Sequence, residues 1–287
     1  MPKYKRSIVL AISDTHGGHK LGLLNPETTL ERKTEKGKIQ KYTPELHESQ
    51  KFLWESLQKF IKETKKLAEK DHIAIIHDGD LAQGNVFPRE QISTRISDQV
   101  LIAAYNMYYL IDQLKPVSLS MAKGTGSHEF GEGSSVLLVE EILRNKYPHL
   151  KINSTYHAKD NFWGSIIDYA HHGASPGKRW WLKGNECRYY LRDIMEKEIH
   201  LNKVPANVYL RGHYHTYVKE ILEIEDYTSM MINLPGFCML GDYGTQITKS
   251  EFILQIGVVA LEIINGQIYN THKFMEVLDL RSEKEIL

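Results

Sequence analysis

The segment Ser7-Ile-Val-Leu-Ala-Ile-Ser-Asp-Thr-His-Gly-Gly18 is an apolar run that stops at an aspartate and, two residues on, a histidine. Such a run reads as a strand buried on both faces, and strands of that kind belong to sheets that are covered on each side. This constrains the chain to an α/β architecture with its chemistry collected at strand ends, the edge where open α/β sheets place ligands. The pattern recurs. His72-Ile-Ala-Ile-Ile-His-Asp-Gly-Asp80 ends in Gly-Asp, and Ser118-Leu-Ser-Met-Ala-Lys runs into Gly124-Thr-Gly-Ser-His-Glu129. Ile166-Ile-Asp-Tyr-Ala-His-His-Gly173 ends in a histidine pair, and Val208-Tyr-Leu-Arg-Gly-His-Tyr-His215 carries two histidines two apart. One polar strand end is ordinary. Five that share a vocabulary of Asp and His point to a site.

Between these runs the apolar spacing predicts helices. One spans about 43 to 70, opened by Thr43-Pro44, with Leu46, Leu53, Leu57, Phe60, Ile61 and Leu67 on one face. A second covers about 93 to 114, with shorter ones near 135 to 145 and 184 to 201. Strand, long helix, strand predicts a right-handed crossover that sets Asp80 beside Asp14 on one sheet edge. Segments 151 to 157 and 164 to 172 read as strands that pair with each other. Strands near 217 to 233, 251 to 264 and 267 to 277 read as antiparallel, with Asn265-Gly266 as a hairpin turn. Residues 20 to 42 lack periodicity and read as a long surface loop, a flap-like insertion beside the first motif. Residues 1 to 287 are expected to form a single domain.

The 36 basic residues balance 36 acidic ones, so any nucleic-acid contact must be local. Two cysteines, Cys187 and Cys238, form neither a disulfide framework nor a zinc pattern. With no apolar stretch near the roughly 20 residues of a membrane span, the expectation is a cytoplasmic protein without membrane contact. Asp14 and His16, two apart on an extended chain, point the same way and can reach one ion. Carboxylates with neutral imidazoles suit divalent iron, manganese, zinc or nickel, and a bridging carboxylate makes a two-metal cluster. The absence of thiolates argues against structural zinc.

The order Asp-x-His, Gly-Asp, Gly-x-His-Glu, His, Gly-His-x-His, from Asp14 to His215, resembles the calcineurin-like metallophosphoesterases. Within that family the chain is similar to phage and prophage members, through a Gly-Thr-x-x-His third motif and the Gly-Asn-x-x-Arg-Tyr-Tyr-Leu-Arg run at 184 to 192. The resemblance implies a four-layer αββα sandwich with two mixed β-sheets and a dinuclear site that hydrolyses phosphate esters. It implies two divalent metal ions, manganese first, with iron, zinc, nickel or magnesium as alternatives. Carried over position by position, Asp14, His16 and His215 hold the first ion, Asp80 bridges, and His171 and His213 hold the second. His172 is a rival for His171. His128 faces the substrate and donates a proton to the leaving alkoxide.

Two positions depart from the family pattern. Ser127 replaces the amide that ordinarily ligates the second ion, which leaves a weak or water-mediated ligand. Gln83 stands near the place of an aspartate that ordinarily orients the catalytic histidine, so His128 is expected to lean on Glu129 or on nothing. Glu129 is expected as a supporting or surface group. After the fourth motif, Lys178, Arg179, Trp180 and Trp181 interleave cations with aromatic rings and form a candidate substrate wall for phosphates and bases. Tyr189, Tyr190 and Leu191 serve equally as core. The combined reading is a phosphodiesterase or nuclease acting on a nucleic acid or nucleotide. The alternatives are a phosphomonoesterase and a low-turnover binding or regulatory module.

Overall fold

The alternation within the first strand explains its continuous apolar sequence. In β1 (Arg6–Ile12), Ile8, Leu10 and Ile12 face a helical layer, while Val9 and Ala11 face a second sheet. All five are fully buried, each Leu or Ile stabilising the fold by about 1.5–3 kcal/mol. The computed structural model describes residues 6–130, 134–177, 179–241 and 252–281.

In chain order the elements are β1, β2 (Leu30–Lys33), β3 (Ile39–Tyr42), α1 (Glu48–Ala68), β4 (His72–Asp78), α2 (Ile96–Leu114), β5 (Ser118–Ala122) and α3 (Ser134–Lys146). Then come β6 (Lys151–Thr155), β7 (His157–Phe162), β8 (Ser165–Ala170), α4 (Asn185–His200) and β9 (Val208–Arg211). The chain closes with β10 (Val218–Ile224), β11 (Tyr227–Asn233), β12 (Ile253–Ile264) and β13 (Gln267–Asp279).

Two mixed sheets result. The first has the order β13-β12-β1-β4-β5-β6, with β1, β4, β5 and β6 parallel and β12 antiparallel to β1. The second has the order β10-β11-β9-β8-β7, with β8, β9 and β11 parallel. Leu53, Leu57 and Phe60 of α1, Val100 and Met107 of α2, and Val136 and Leu143 of α3 cover the outer face of the first sheet. Val9, Ala11, Ala74 and Ile76 meet Ile167, Tyr169, Val208 and Leu210 between the sheets. Cys187, Leu191 and Met195 of α4 close the far side on Tyr209 and Met231. The layers are αββα, as the resemblance implied.

The structure departs from the sequence reading in several places. Helix α1 starts at Glu48, not near Thr43, because His47 caps it: Ser49 N donates to His47 Nδ1 at 3.3 Å, and His47 N donates to Gln50 Oε1 at 3.1 Å. Segments 151–155 and 165–170 do not pair. β6 joins the first sheet beside β5, and the partner of β8 is β7, whose sequence His-Ala-Lys-Asp-Asn-Phe lacks an apolar alternation. β11, expected to be antiparallel throughout, runs parallel to β9.

The insertion is not a loop along its whole length. Leu23, Leu24 and Leu30 are fully buried, and Asn106 holds its backbone by accepting from Asn25 N and donating to Leu23 O, both at 2.9 Å. Only the β2–β3 hairpin stands out from the body, with Ile39 exposed at its edge.

Candidate metal centre

Where β1, β4 and β9 end, the backbone changes hand. Asp14, His16, Asp80, His213 and His215 have φ of 54°, 42°, 50°, 71° and 49°. They are five of the twelve non-glycine residues at positive φ among the described residues, so the left-handed conformation is concentrated here. Each costs about 1–3 kcal/mol and persists only where its surroundings fix it. Here hydrogen bonds knit the loops beyond the strands: Asp14 N to Gly79 O at 3.1 Å, His16 N to Asp80 O at 2.9 Å, Gly212 N to His171 O at 3.0 Å, and Phe237 N to Asp14 O at 3.0 Å.

The side chains converge as two clusters. Asp14 Oδ1 lies 3.1 Å from His215 Nε2 and 3.8 Å from His16 Nε2. Asp80 Oδ2 lies 3.0 Å from His171 Nε2, with His213 completing the second group. Asp14 Oδ1 is also 3.8 Å from His171 Nε2, so the clusters are contiguous. A third, overlapping group of His16, Asp80 and His128 brings His128 Nε2 to 3.9 Å from Asp80 Oδ2.

The remaining polar atoms are engaged in ways that aim the free ones. His171 Nδ1–H donates to Asp78 O at 2.6 Å, and His16 Nδ1–H donates to Gln83 Oε1 at 3.1 Å, which turns Nε2 of each toward the carboxylates. Asp14 Oδ2 accepts from Ser13 Oγ at 2.5 Å and from His213 N at 3.1 Å. Thr125 donates to Asp80 twice, from its N–H at 2.7 Å and its hydroxyl at 3.3 Å, and the same hydroxyl lies 3.2 Å from His213 Nδ1.

Charge and burial explain the protonation. Burial works against ionised Asp14 and Asp80, but His215 and His171 beside Asp14, and His171 beside Asp80, hold both carboxyls well below the usual range. Burial alone would depress His171, yet Asp80 and Asp14 outweigh it and push it up to about 10. His213, desolvated and next to His171 and His172, is pushed down to about 4, and burial together with His128 keeps His16 neutral.

Buried carboxylates ringed by imidazoles make a donor set suited to cations. Asp14 Oδ1 and Asp80 Oδ2 are buried and face imidazole nitrogens at 3.1 and 3.0 Å, an arrangement of convergent donor atoms that a cation can occupy. An oxygen and imidazole donor set without thiolates fits two divalent ions.

Each residue singled out in the sequence has a definite place. His171, not His172, faces the carboxylates; His172 is exposed and sets its ring edge-on to His171 and His213, with centroids 5.1 and 4.8 Å away. Ser127 is half-buried, next in sequence to His128. His128 leans on neither Glu129 nor nothing: its Nδ1–H donates to the Gln83 carbonyl at 2.5 Å. Glu129 is buried and accepts from Gly124 N, Ser135 Oγ and Val136 N, tying the third motif to the start of α3.

Trp180 and Trp181 are 69% and 77% exposed and Arg179 is exposed, while Lys178 lies outside the described residues. Lys183 stands over the Trp180 ring at 5.1 Å, and Arg188 is taken up by Glu220 at 2.8 Å. The sequence reading missed Ser13 and Thr125, whose only signal is their position beside a motif. It noticed Gln83 but not its partner, since the side chain serves His16 and only the backbone serves His128.

The family sequence profile described as calcineurin-like phosphoesterase matches residues 8–217. No curated protein matches the chain. Among solved structures, the chain is similar to the Thermotoga maritima protein TM1076, at 13% identity over 95% of this chain and 99% of that one, with a TM-score of 0.35. It is similar to the sulfate thiohydrolase SoxB of Thermus thermophilus, at 10% identity over 98% of this chain and 58% of that one, with a TM-score of 0.39. It is also similar to the protein of unknown function AQ665 from Aquifex aeolicus, at 16% identity over 73% and 80%, with a TM-score of 0.33. No helix among the described residues is long and apolar enough to cross a membrane.

Proposed function

The chain belongs to the calcineurin-like phosphoesterase family, and from that premise we propose a phosphodiesterase that acts on a nucleic acid or a nucleotide. The observation that carries this reading is the pairing of the metal centre with an exposed cationic and aromatic loop only a few residues past His171. Asp14, His16 and His215 would hold one divalent ion and His171 and His213 the other, with Asp80 between them. Manganese is the ion we would load first. Ions held there lower the pKa of bound water and neutralise charge on the phosphate oxygens.

The chain's own groups do the rest. Gln83 fixes two histidines at once: its side chain sets the tautomer of His16, and its carbonyl holds His128 Nδ1–H. With Nδ1 so engaged, a protonated His128 presents Nε2–H to the leaving oxygen as general acid. Thr125 keeps Asp80 in place through two hydrogen bonds. Arg179, Trp180 and Trp181 bind phosphate and stack on bases remote from the reacting phosphorus. Such contacts add uniform binding energy and act on KM more than on kcat.

The test uses manganese-loaded protein on an aryl phosphodiester, an aryl phosphomonoester and a short single-stranded oligonucleotide. We expect diesters to be preferred. We expect Trp180→Ala with Trp181→Ala to raise KM for the oligonucleotide about fivefold or more, from roughly 1–3 kcal/mol per stacked base, and to leave the aryl ester unaffected. Salt should weaken the oligonucleotide selectively. Preference for the monoester would establish the phosphatase alternative. Equal losses on both substrates would remove the loop from substrate recognition.

A further inference from the structure

Beneath the second cluster lies a set of buried polar side chains that the proposed chemistry does not use. Arg211, fully buried, ends β9 two residues before His213. Asp168 lies in β8 three residues before His171, and Asp78 ends β4 two residues before Asp80. Arg211 Nη1 is 2.8 Å from Asp168 Oδ1 and donates to Leu210 O at 2.7 Å. Its charge centre lies 5.8 Å from the Tyr190 ring, and its stem packs against Gly173, where a Cβ would come within 2.4 Å of Arg211 Cγ. Asp168 is held a second time by His157 Nε2 at 2.7 Å. The Asp78 carbonyl accepts from His171 Nδ1 and from Ser13 Oγ, while its carboxyl group is buried without a hydrogen bond.

These three residues occupy the three strands that deliver Asp80, His171 and His213. We propose that Arg211 is a positioning residue for the second cation: paired with Asp168, it holds β8 and β9 at one level so that their ligands His171 and His213 converge beside Asp80. The guanidinium suits this because it is always charged and presents several donors in a rigid plane. Burying such a charge is unfavourable unless its partners are fixed, so the pair enforces the spacing of the strands that carry it. The second cluster has particular need of this, because Ser127 supplies it no amide and three side chains must be preorganised to bind. The first cluster has its own anchors in Ser13 and Gln83.

The inference rests on the two-cation reading, and the test separates their failures. Manganese is titrated calorimetrically into metal-free protein in two backgrounds, His215→Ala, which leaves the second cluster, and His213→Ala, which leaves the first. Circular dichroism confirms that each variant is folded. Arg211→Met is expected to weaken binding roughly 10- to 100-fold in the His215→Ala background and to leave the His213→Ala background unchanged. Arg211→Lys, which keeps the charge without the fork, is expected to recover part of the loss and replaces Arg211→Met should that variant not fold. Equal losses in both backgrounds, or none in either, overturn the inference. Fewer than two manganese ions bound by the unmodified protein would overturn the two-cation reading instead.

Discussion

Replacing Gly79 with alanine tests how His171 is held. Gly79 separates Asp78 from Asp80 at φ +91°, and a Cβ there would lie 2.4 Å from His171 Nδ1 and 2.7 Å from His171 Cβ. The left-handed backbone costs an L-residue about 1–2 kcal/mol. Forcing a methyl group into a filled space costs about 1–3 kcal/mol. If the ring moves aside to relieve the clash, the buried His171 Nδ1–H to Asp78 O bond at 2.6 Å is lost, at about 1–3 kcal/mol. The last two are alternatives in part, because moving the ring relieves the overlap, so the total is about 2–5 kcal/mol. In a domain of this size that lowers Tm by roughly 3–8 °C. The assay is thermal unfolding of Gly79→Ala with and without manganese, alongside a manganese titration. Binding at the second cluster should weaken as well, since its imidazole is displaced. A Tm within about 2 °C of the parent, with unchanged manganese affinity, would refute the reasoning.

Asp80→Asn should release manganese and abolish hydrolysis while retaining the far-ultraviolet dichroism of the parent; near-normal turnover with both ions bound would remove Asp80 from the bridging role. Ser127→Asn should tighten the weaker of two manganese affinities, and a titration in which two equal, tight sites already exist would mean that another group supplies the ligand. For pH, burial is the main influence on His77 and lowers it to about 4, with Asp14 opposing. The unfolded histidine titrates near 6.5, so the stability tied to its neutral form is complete above that pH and is lost as pH falls toward 4, about 3 kcal/mol in all. Denaturant unfolding of chelator-treated protein should therefore show a pH slope that His77→Gln flattens, and an unaltered slope would exclude His77 as its source.

The two-sided burial of β1, β4 and β9 was legible because nothing in such strands needs to be polar until the chain reaches the sheet edge, so Asp14, Asp80 and His213 announce themselves as interruptions. β7 was not legible: only Phe162 is buried along it, and it is held to β8 by backbone pairing and by the polar contacts His157–Asp168 and Tyr169–Asp160, none of which shows as an apolar alternation. The start of α1 was misplaced because Thr43-Pro44 is a good local signal that His47 and Gln50 override, Gln50 being tied through its amide to His19 O and Gly22 O far off in sequence. The choice between His171 and His172 depended on a strand's last inward-facing position, which the sequence leaves open by one residue. Gln83 shows a different limit. Its partners, His16 and His128, lie 67 and 45 positions away, and no local pattern reports which of its atoms serves which.

The left-handed residues at the site also bear on how this protein can be improved. A glycine or asparagine placed at position 16, 213 or 215 would relax the backbone and lose an imidazole at the same stroke. A library screened for heat resistance alone, in the absence of divalent ions, would therefore enrich inactive variants at the positions that matter most. With manganese present during the heat challenge the ranking should invert, because each ion bound to the folded chain adds stability that a variant without the imidazole cannot gain. Directed evolution of this scaffold has to be run on the loaded protein, or it will select against its own purpose.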